Sequence, residues 1–193
     1  MESAVLNRLP AIALCLLCLV GVILIQIIGH SGTLYQQEIA QKLNRELAAH
    51  IVAEYPLIQN REINRPALDE LFHQLMVINP SIELYLLDNN GNVLAFSAPQ
   101  GKVKLQQVPL EPLKSFIRGN TRFPLLGPDP RNTGQQKAFS AAEIMHEGKQ
   151  VGYLYIILGS ELYAGAAQQL KGSFIMKAAS GLLLGARVIA TLV

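Results

Sequence analysis

The chain has 193 residues, 50% of them hydrophobic and 16% charged, with a net charge of +2 at pH 7. That leaves room for one ordinary domain besides membrane segments, argues against a disordered chain and gives no basic footprint for nucleic acid. The two cysteines, Cys15 and Cys18, both lie inside the first apolar run. There the C-x-x-C spacing reads as two small apolar residues on a membrane helix before it reads as redox or metal chemistry. The region beyond the run has no cysteine, so its core must hold without a disulfide.

Residues 1–8 read as a short cytoplasmic N-terminus. Residues 9–29 (LPAIALCLLCLVGVILIQIIG) contain no Asp, Glu, Lys or Arg. A helix of about 20 apolar residues spans the hydrocarbon core of a bilayer. A cleaved signal peptide has a shorter apolar core, roughly 7 to 15 residues, followed by a small-x-small site. This run is longer and ends Ile27-Ile28-Gly29-His30-Ser31-Gly32, so a retained anchor is expected. Flanking charge orients the chain weakly, and the cytoplasmic start rests on architecture.

From His30 to Gln59 the helical period continues. Tyr35, Ile39, Leu43, Leu47, Ile51 and Tyr55 recur every four residues, and Ala40, Ala48, Val52 and Ile58 widen the row. With no proline before Pro56, the membrane helix is expected to run on as one long rod. Such a rod can pack on its own domain or on a twin rod, which makes a homodimer seam. Pro56 bends or ends it. Asn64 or Arg65 caps a second helix, Pro66 suits its first turn, and Leu68, Leu71, Phe72, Leu75 and Met76 form its buried face before Asn79-Pro80.

At Ile82 the period changes to two, with Ile82, Leu84 and Leu86 on one face and Glu83, Tyr85 and Leu87 on the other. Asp88-Asn89-Asn90-Gly91 then predicts a hairpin, with Asn90-Gly91 in a type I′ turn. Val93 to Ala98 returns as the second strand. Val108 to Arg118 predicts a short helix, and the Pro- and Gly-rich 123–132 (FPLLGPDPRN) predicts a loop. Lys137 to Met145 is a third strand, His146-Glu147-Gly148-Lys149 a turn, and Val151 to Leu158 a fourth strand, apolar on both faces and so central. Ser160-Glu161-Leu162 starts a last helix toward a second apolar stretch, Phe174 to Val193. Lys177 and Arg187 interrupt that stretch, and it reads as a second membrane helix cut short.

A membrane helix, a long rod, the hairpin IELYLLDNNGNVLAFSAP, and the strands KAFSAAEI and GYLYIILGSELY followed by a second membrane helix resemble the extracytoplasmic PAS-like (PDC or Cache-type) sensor region of bacterial sensor histidine kinases. The resemblance covers 31–171 and both membrane segments, and no catalytic motif carries it. It implies an α+β fold, with a PAS-like antiparallel sheet and a long N-terminal helix, flanked by transmembrane helices. The implied layout is 1–8 cytoplasmic, 9–29 transmembrane, 30–172 extracytoplasmic sensor domain and 173–193 second transmembrane helix. It also implies the bacterial inner membrane and a stimulus passed to a cytoplasmic kinase module, a transferase, that these residues do not contain. A membrane-anchored periplasmic binding or accessory module is the alternative, as is the input domain of a chemoreceptor or cyclic-dinucleotide enzyme, because fold does not choose output.

Catalytic chemistry is not legible. His146-Glu147 would open a zincin motif, but position 150 is Gln150. His30, His50, His73 and His146 have no ligand spacing, so no metal and no cofactor are expected. Phosphate-loop and nucleophile-elbow motifs are missing from the sequence. Asp88 and Asp129 are explained by turn chemistry. A ligand site is the remaining idea. Tyr85, Tyr153 and Tyr155 on the strands, with Arg118, Arg122, Arg131 and Lys137 near loop and strand ends, offer hydroxyls and cations to a small polar or anionic ligand under a Pro-rich lid. The plainer account makes the tyrosines half-buried core and turns the basic groups to water.

Overall fold

The computed structural model describes residues 9–59, 62–79, 81–99, 101–119 and 122–159. The expected helix from Ser160 and the second apolar stretch (173–193) lie outside the described residues, as do residues 1–8 and the side chains of Cys15, Cys18 and His30.

The first helix, α1, is Leu9–Leu43, 35 residues without interruption. The apolar run and the rod are thus one helix, as expected. Among the described residues, which leave out side chains at 9–12, 14, 15, 18, 25 and 28–30, no helix is long and apolar enough to cross a membrane.

The rod does not run on to Pro56. It breaks in a turn at Asn44–Glu46 before α2, Leu47–Glu54. Asn44 closes α1 by donating its side-chain Nδ2 to the Ala40 carbonyl at 2.8 Å. Ser140 fills the gap from the sheet: its hydroxyl donates to the Arg45 carbonyl at 3.0 Å and accepts from the Ala48 amide at 3.2 Å. Backbone groups freed by the break therefore find a side chain.

The four-residue row is also split. Residues four apart step round a helix by about 40°, so the five steps from Tyr35 to Tyr55 would turn the row through about 200° even without a break. Tyr35 is 64% exposed and Leu43 80% exposed, whereas Ile51 is 6% exposed. The buried face of the rod is Gln41, Ala48 and Ile51.

A two-stranded ladder, β1 (Ile58–Gln59) with β2 (Glu62–Ile63), follows and was not expected. Helix α3 spans Arg65–Ile78, with Asn64 as N-cap and Pro66 in the first turn. Leu68 and Leu71 are buried, with Phe72 and Leu75 packed beside them, and the Met76 side chain lies outside the described residues.

The main sheet has five strands: β3 (Ile82–Leu87), β4 (Val93–Phe96), β5 (Leu126–Pro128), β6 (Gln136–His146) and β7 (Lys149–Leu158). Their order is β4-β3-β7-β6-β5, antiparallel throughout, with β7 in the centre as its two apolar faces imply. Helix α4, Leu110–Arg118, lies over one face. The fold is α+β with an antiparallel sheet.

Both faces of the sheet are covered, so all six residues of β3 are buried. Ile82, Leu84 and Leu86 pack with Leu154 and Ile156 under α2 and α3. Tyr85 and Leu87 pack with Phe139, Tyr155 and Ile157 under α4. The period of two is what sorts the residues between these two cores.

Two turns differ from expectation. Asn90 does not take positive φ; among residues 88–92 only Gly91 does, at 85°. The Gly91 amide donates to the Asp88 carbonyl at 3.1 Å, and the Asp88 carboxylate accepts from the Asn90 and Asn92 amides at 2.8 Å each. This is a three-residue arrangement ending in a left-handed glycine, not a type I′ turn. Burial acts to raise the Asp88 pKa, but the bonds from the Asn92 side chain and from the Asn92, Asn90 and Gly91 amides outweigh it and hold it below its ordinary value. Two consecutive positive φ values, the type I′ pattern, occur instead at Glu147 (51°) and Gly148 (73°) between β6 and β7. The Pro-rich segment, expected to be all loop, contributes β5 as the edge strand beside β6. Pro128 is tolerated there because an edge strand has a free side.

Candidate ligand site under the Pro-rich loop

The segment after β5 folds on itself through its own polar groups. Asp129 donates its amide to the Gln135 carbonyl at 3.0 Å and accepts the Arg131 amide on Oδ1 at 2.9 Å. The Pro130 carbonyl accepts the amides of Lys104 (2.8 Å) and Leu105 (3.0 Å), so the stretch before α4 is fastened to the same loop. These bonds hold Arg131 above the sheet.

Beneath it, β3 presents Glu83 and Tyr85 on the same face. Arg131 Nη1 reaches Glu83 Oε1 at 2.5 Å, and the Tyr85 hydroxyl donates to Glu83 Oε2 at 2.8 Å. Lys137 Nζ, at the start of β6, lies 2.7 Å from Asp129 Oδ2. That contact is an ion pair by distance and is not aimed as a hydrogen bond. The Tyr155 hydroxyl donates to the Pro128 carbonyl at 2.9 Å. The rings of Tyr85 and Tyr155 sit 6.3 Å apart, and Tyr155 is 5.1 Å from Phe139. Burial, reinforced by Glu83, pushes the Tyr85 hydroxyl well above its ordinary pKa. Burial, with Asp129 adding to it, does the same for Tyr155. Both phenols remain neutral donors across the physiological range.

Four of the seven expected residues therefore meet: Tyr85, Arg131, Lys137 and Tyr155. Arg118 does not join them. It ends α4 exposed, with Nε donating to the Lys114 carbonyl at 3.1 Å. Arg122 is exposed as well. Tyr153 is buried in the same apolar core but pairs in register with Leu87, two positions from the Tyr85–Tyr155 pair. Glu83 and Asp129 were missed as site residues. Glu83 had a signal, an acid flanked by apolar residues on a strand bounded by core, which demands a buried partner. Asp129 does serve a turn, as expected, and also neutralises Lys137.

Two acids and two bases thus pair within the site. An Arg fork and an ammonium suit a carboxylate or phosphate, and a ligand of that kind would have to displace Glu83 or Asp129 to be seated. Among the described residues no group of His, Cys, Asp and Glu is placed to hold a metal ion.

Gly127 sets how closely β5 approaches the sheet. A β-carbon there would collide with the Tyr155 hydroxyl and press on the Phe139 ring. Gly127→Ala is expected to lose about 1–3 kcal/mol in urea unfolding of the chain. Because the nearest obstructing atom is the Tyr155 hydroxyl oxygen, adding Tyr155→Phe should recover part of that loss. Simple addition of the two losses would place the obstruction elsewhere.

No family model matches the chain, and no curated protein is significantly similar to it.

Proposed function

We propose that this chain is the signal-sensing input region of a membrane-bound two-component sensor histidine kinase. In this reading α1 anchors it in the bacterial inner membrane, and the sheet domain, a PAS-like sensor, stands outside. A small polar or anionic ligand acts at the Glu83–Arg131 and Asp129–Lys137 pairs, and two copies associate along α1.

The observation that carries this reading is the continuity of α1. One helix joins an apolar, uncharged stretch to the packed domain. In that stretch Leu16, Leu17, Leu19, Val22, Ile23 and Ile27 are all exposed, and they spread over most of the helix circumference. Apolar residues exposed over more than half of a helix circumference call for an apolar surround, which lipid supplies. From Gly29 to Gln41 the helix rises about 18 Å, a stalk long enough to hold the domain clear of the headgroups. Gln41 meets the sheet at Phe139, opposite Ile157 on β7, so the chain arrives at the end of the sheet where β7 finishes. Both connections to a membrane can therefore leave from one pole. The exposed Tyr35, Ile39 and Leu43 offer a seam for a second α1.

Membrane vesicles carrying the product of the whole reading frame provide the test. Given labelled ATP, they should acquire acid-labile, alkali-stable phosphate on histidine. Single cysteines along 35–43 should cross-link with a helical period. Membrane retention without phosphate incorporation would sink the kinase reading and leave a binding or accessory module.

A further inference from the structure

We infer that Gln41 is the joint through which displacement of the Pro-rich loop shifts α1, a device that rests on the membrane-sensor reading for its purpose but not for its geometry. Gln41 is 0% exposed, although Tyr35 and Leu43 on the same helix face outward. A wholly buried glutamine is uncommon and must find partners for its amide. It finds three. Nε2 donates to the Leu125 carbonyl and to the Phe139 carbonyl, each at 2.8 Å, and Oε1 accepts the Leu125 amide at 2.7 Å.

The pattern imitates a strand. Gln41 gives a donor and an acceptor to one residue, Leu125, as a neighbouring backbone would. The β5–β6 ladder ends at the pair Leu126–Ala138. The next rung would set Leu125 against Phe139, and the Gln41 amide stands between these two residues instead. The helix is thereby built into the ladder at the root of β5.

The far end of β5 carries the charged site. Pro128 accepts from Tyr155, Asp129 pairs with Lys137, and Arg131 pairs with Glu83. Only two residues of strand, Leu126 and Gly127, separate the first of these contacts from Leu125. A strand that short transmits a shift in register instead of absorbing it. Whatever parts Arg131 from Glu83 draws β5 along β6 and carries the Leu125 amide and carbonyl away from Gln41. A buried amide that loses partners is strongly disfavoured, so α1 must follow or turn. Ser140 also ties the rod, at Arg45 and Ala48, but it joins the rod to β6 and not to the loop.

The test uses the full chain in membrane vesicles, with Cys15 and Cys18 replaced by alanine and Gln37→Cys as reporter. Gln37 is half-buried one turn upstream on the face of Gln41. Arg131→Ala opens the loop without need of a ligand. It is expected to accelerate maleimide labelling at position 37 about fivefold, and in a Gln41→Met background by less than about twofold. Equal acceleration in both backgrounds, or none with Gln41 present, would overturn the proposal. Ala138→Cys, buried in the sheet, reports unfolding. If Gln41→Met exposes it, Gln41→Glu takes its place, since a carboxylate still accepts from Leu125 but cannot donate to either carbonyl. Coupling seen in a chain that incorporates no phosphate would remove the kinase reading and leave the joint standing.

Discussion

Lys137→Met is expected to destabilise the domain by about 3–5 kcal/mol, because it leaves the Asp129 carboxylate buried without its cation. Asp129 is 0% exposed, and its Oδ2 faces Lys137 at 2.7 Å. After the substitution that carboxylate would keep the Arg131 amide on Oδ1. The methionine stem fills the space of the lysine, so the loss reports charge and not volume. Adding Asp129→Asn should restore much of it, since two neutral side chains of similar shape remain. Urea unfolding of the two single variants and the double variant measures the coupling. A Lys137→Met chain with the parental midpoint would mean that water reaches Asp129 and the pair is not closed.

Gly91→Val is expected to cost about 3 kcal/mol or more, the sum of two separate penalties. The backbone stands at a φ of 85°, where a β-branched residue is strained. A β-carbon would also collide with the Val108 carbonyl oxygen. Gly91 further accepts the Val108 amide on its carbonyl at 2.8 Å, so relieving the collision breaks the tie between the hairpin and the start of α4. Asn90→Ala provides the contrast. Asn90 is exposed and does not take positive φ, so it should lose less than about 1 kcal/mol. In a type I′ turn both positions would be sensitive. Thermal melts of the three chains separate the two geometries, and a large loss at Asn90 would restore the type I′ assignment.

The elements most legible in the sequence were those with a repeating local pattern. The strand at 82–87 follows from a period of two, its partner at 93–96 from the hairpin signal, those at 136–146 and 149–158 from runs joined by a turn, the last apolar on both faces, and the helices of 65–78 and 110–118 from a helical period with a cap or an inward face. The break at Asn44–Glu46 was hidden because its partner is Ser140, which no local pattern relates to Arg45 or Ala48. β5 was hidden for the same reason. Pro- and Gly-rich residues signal a loop, and only pairing with β6 makes three of them a strand. Of the candidate site, Tyr85 and Tyr155 were found through strand alternation. Arg118 and Arg122 were misplaced, because nearness to a loop in sequence does not aim a side chain at it.

By itself the sequence determined the apolar first helix, the order of the longer helices and strands without the break after α1, the β1–β2 ladder or β5, and the central place of β7. Each depends on residues a few positions apart, whose geometry the backbone repeats. Tertiary structure decided which side of α1 is buried, which acids meet which bases, and that Gln41 would close on Leu125, 84 residues away. Those outcomes depend on sheet register, since moving a strand by one residue turns every side chain to the opposite face. Glu83 meets Arg131 across 48 residues only in the register that also pairs Tyr85 with Tyr155. Once both faces are covered, a buried charge in that register must find its counter-charge, and no stretch of the chain read alone could say where.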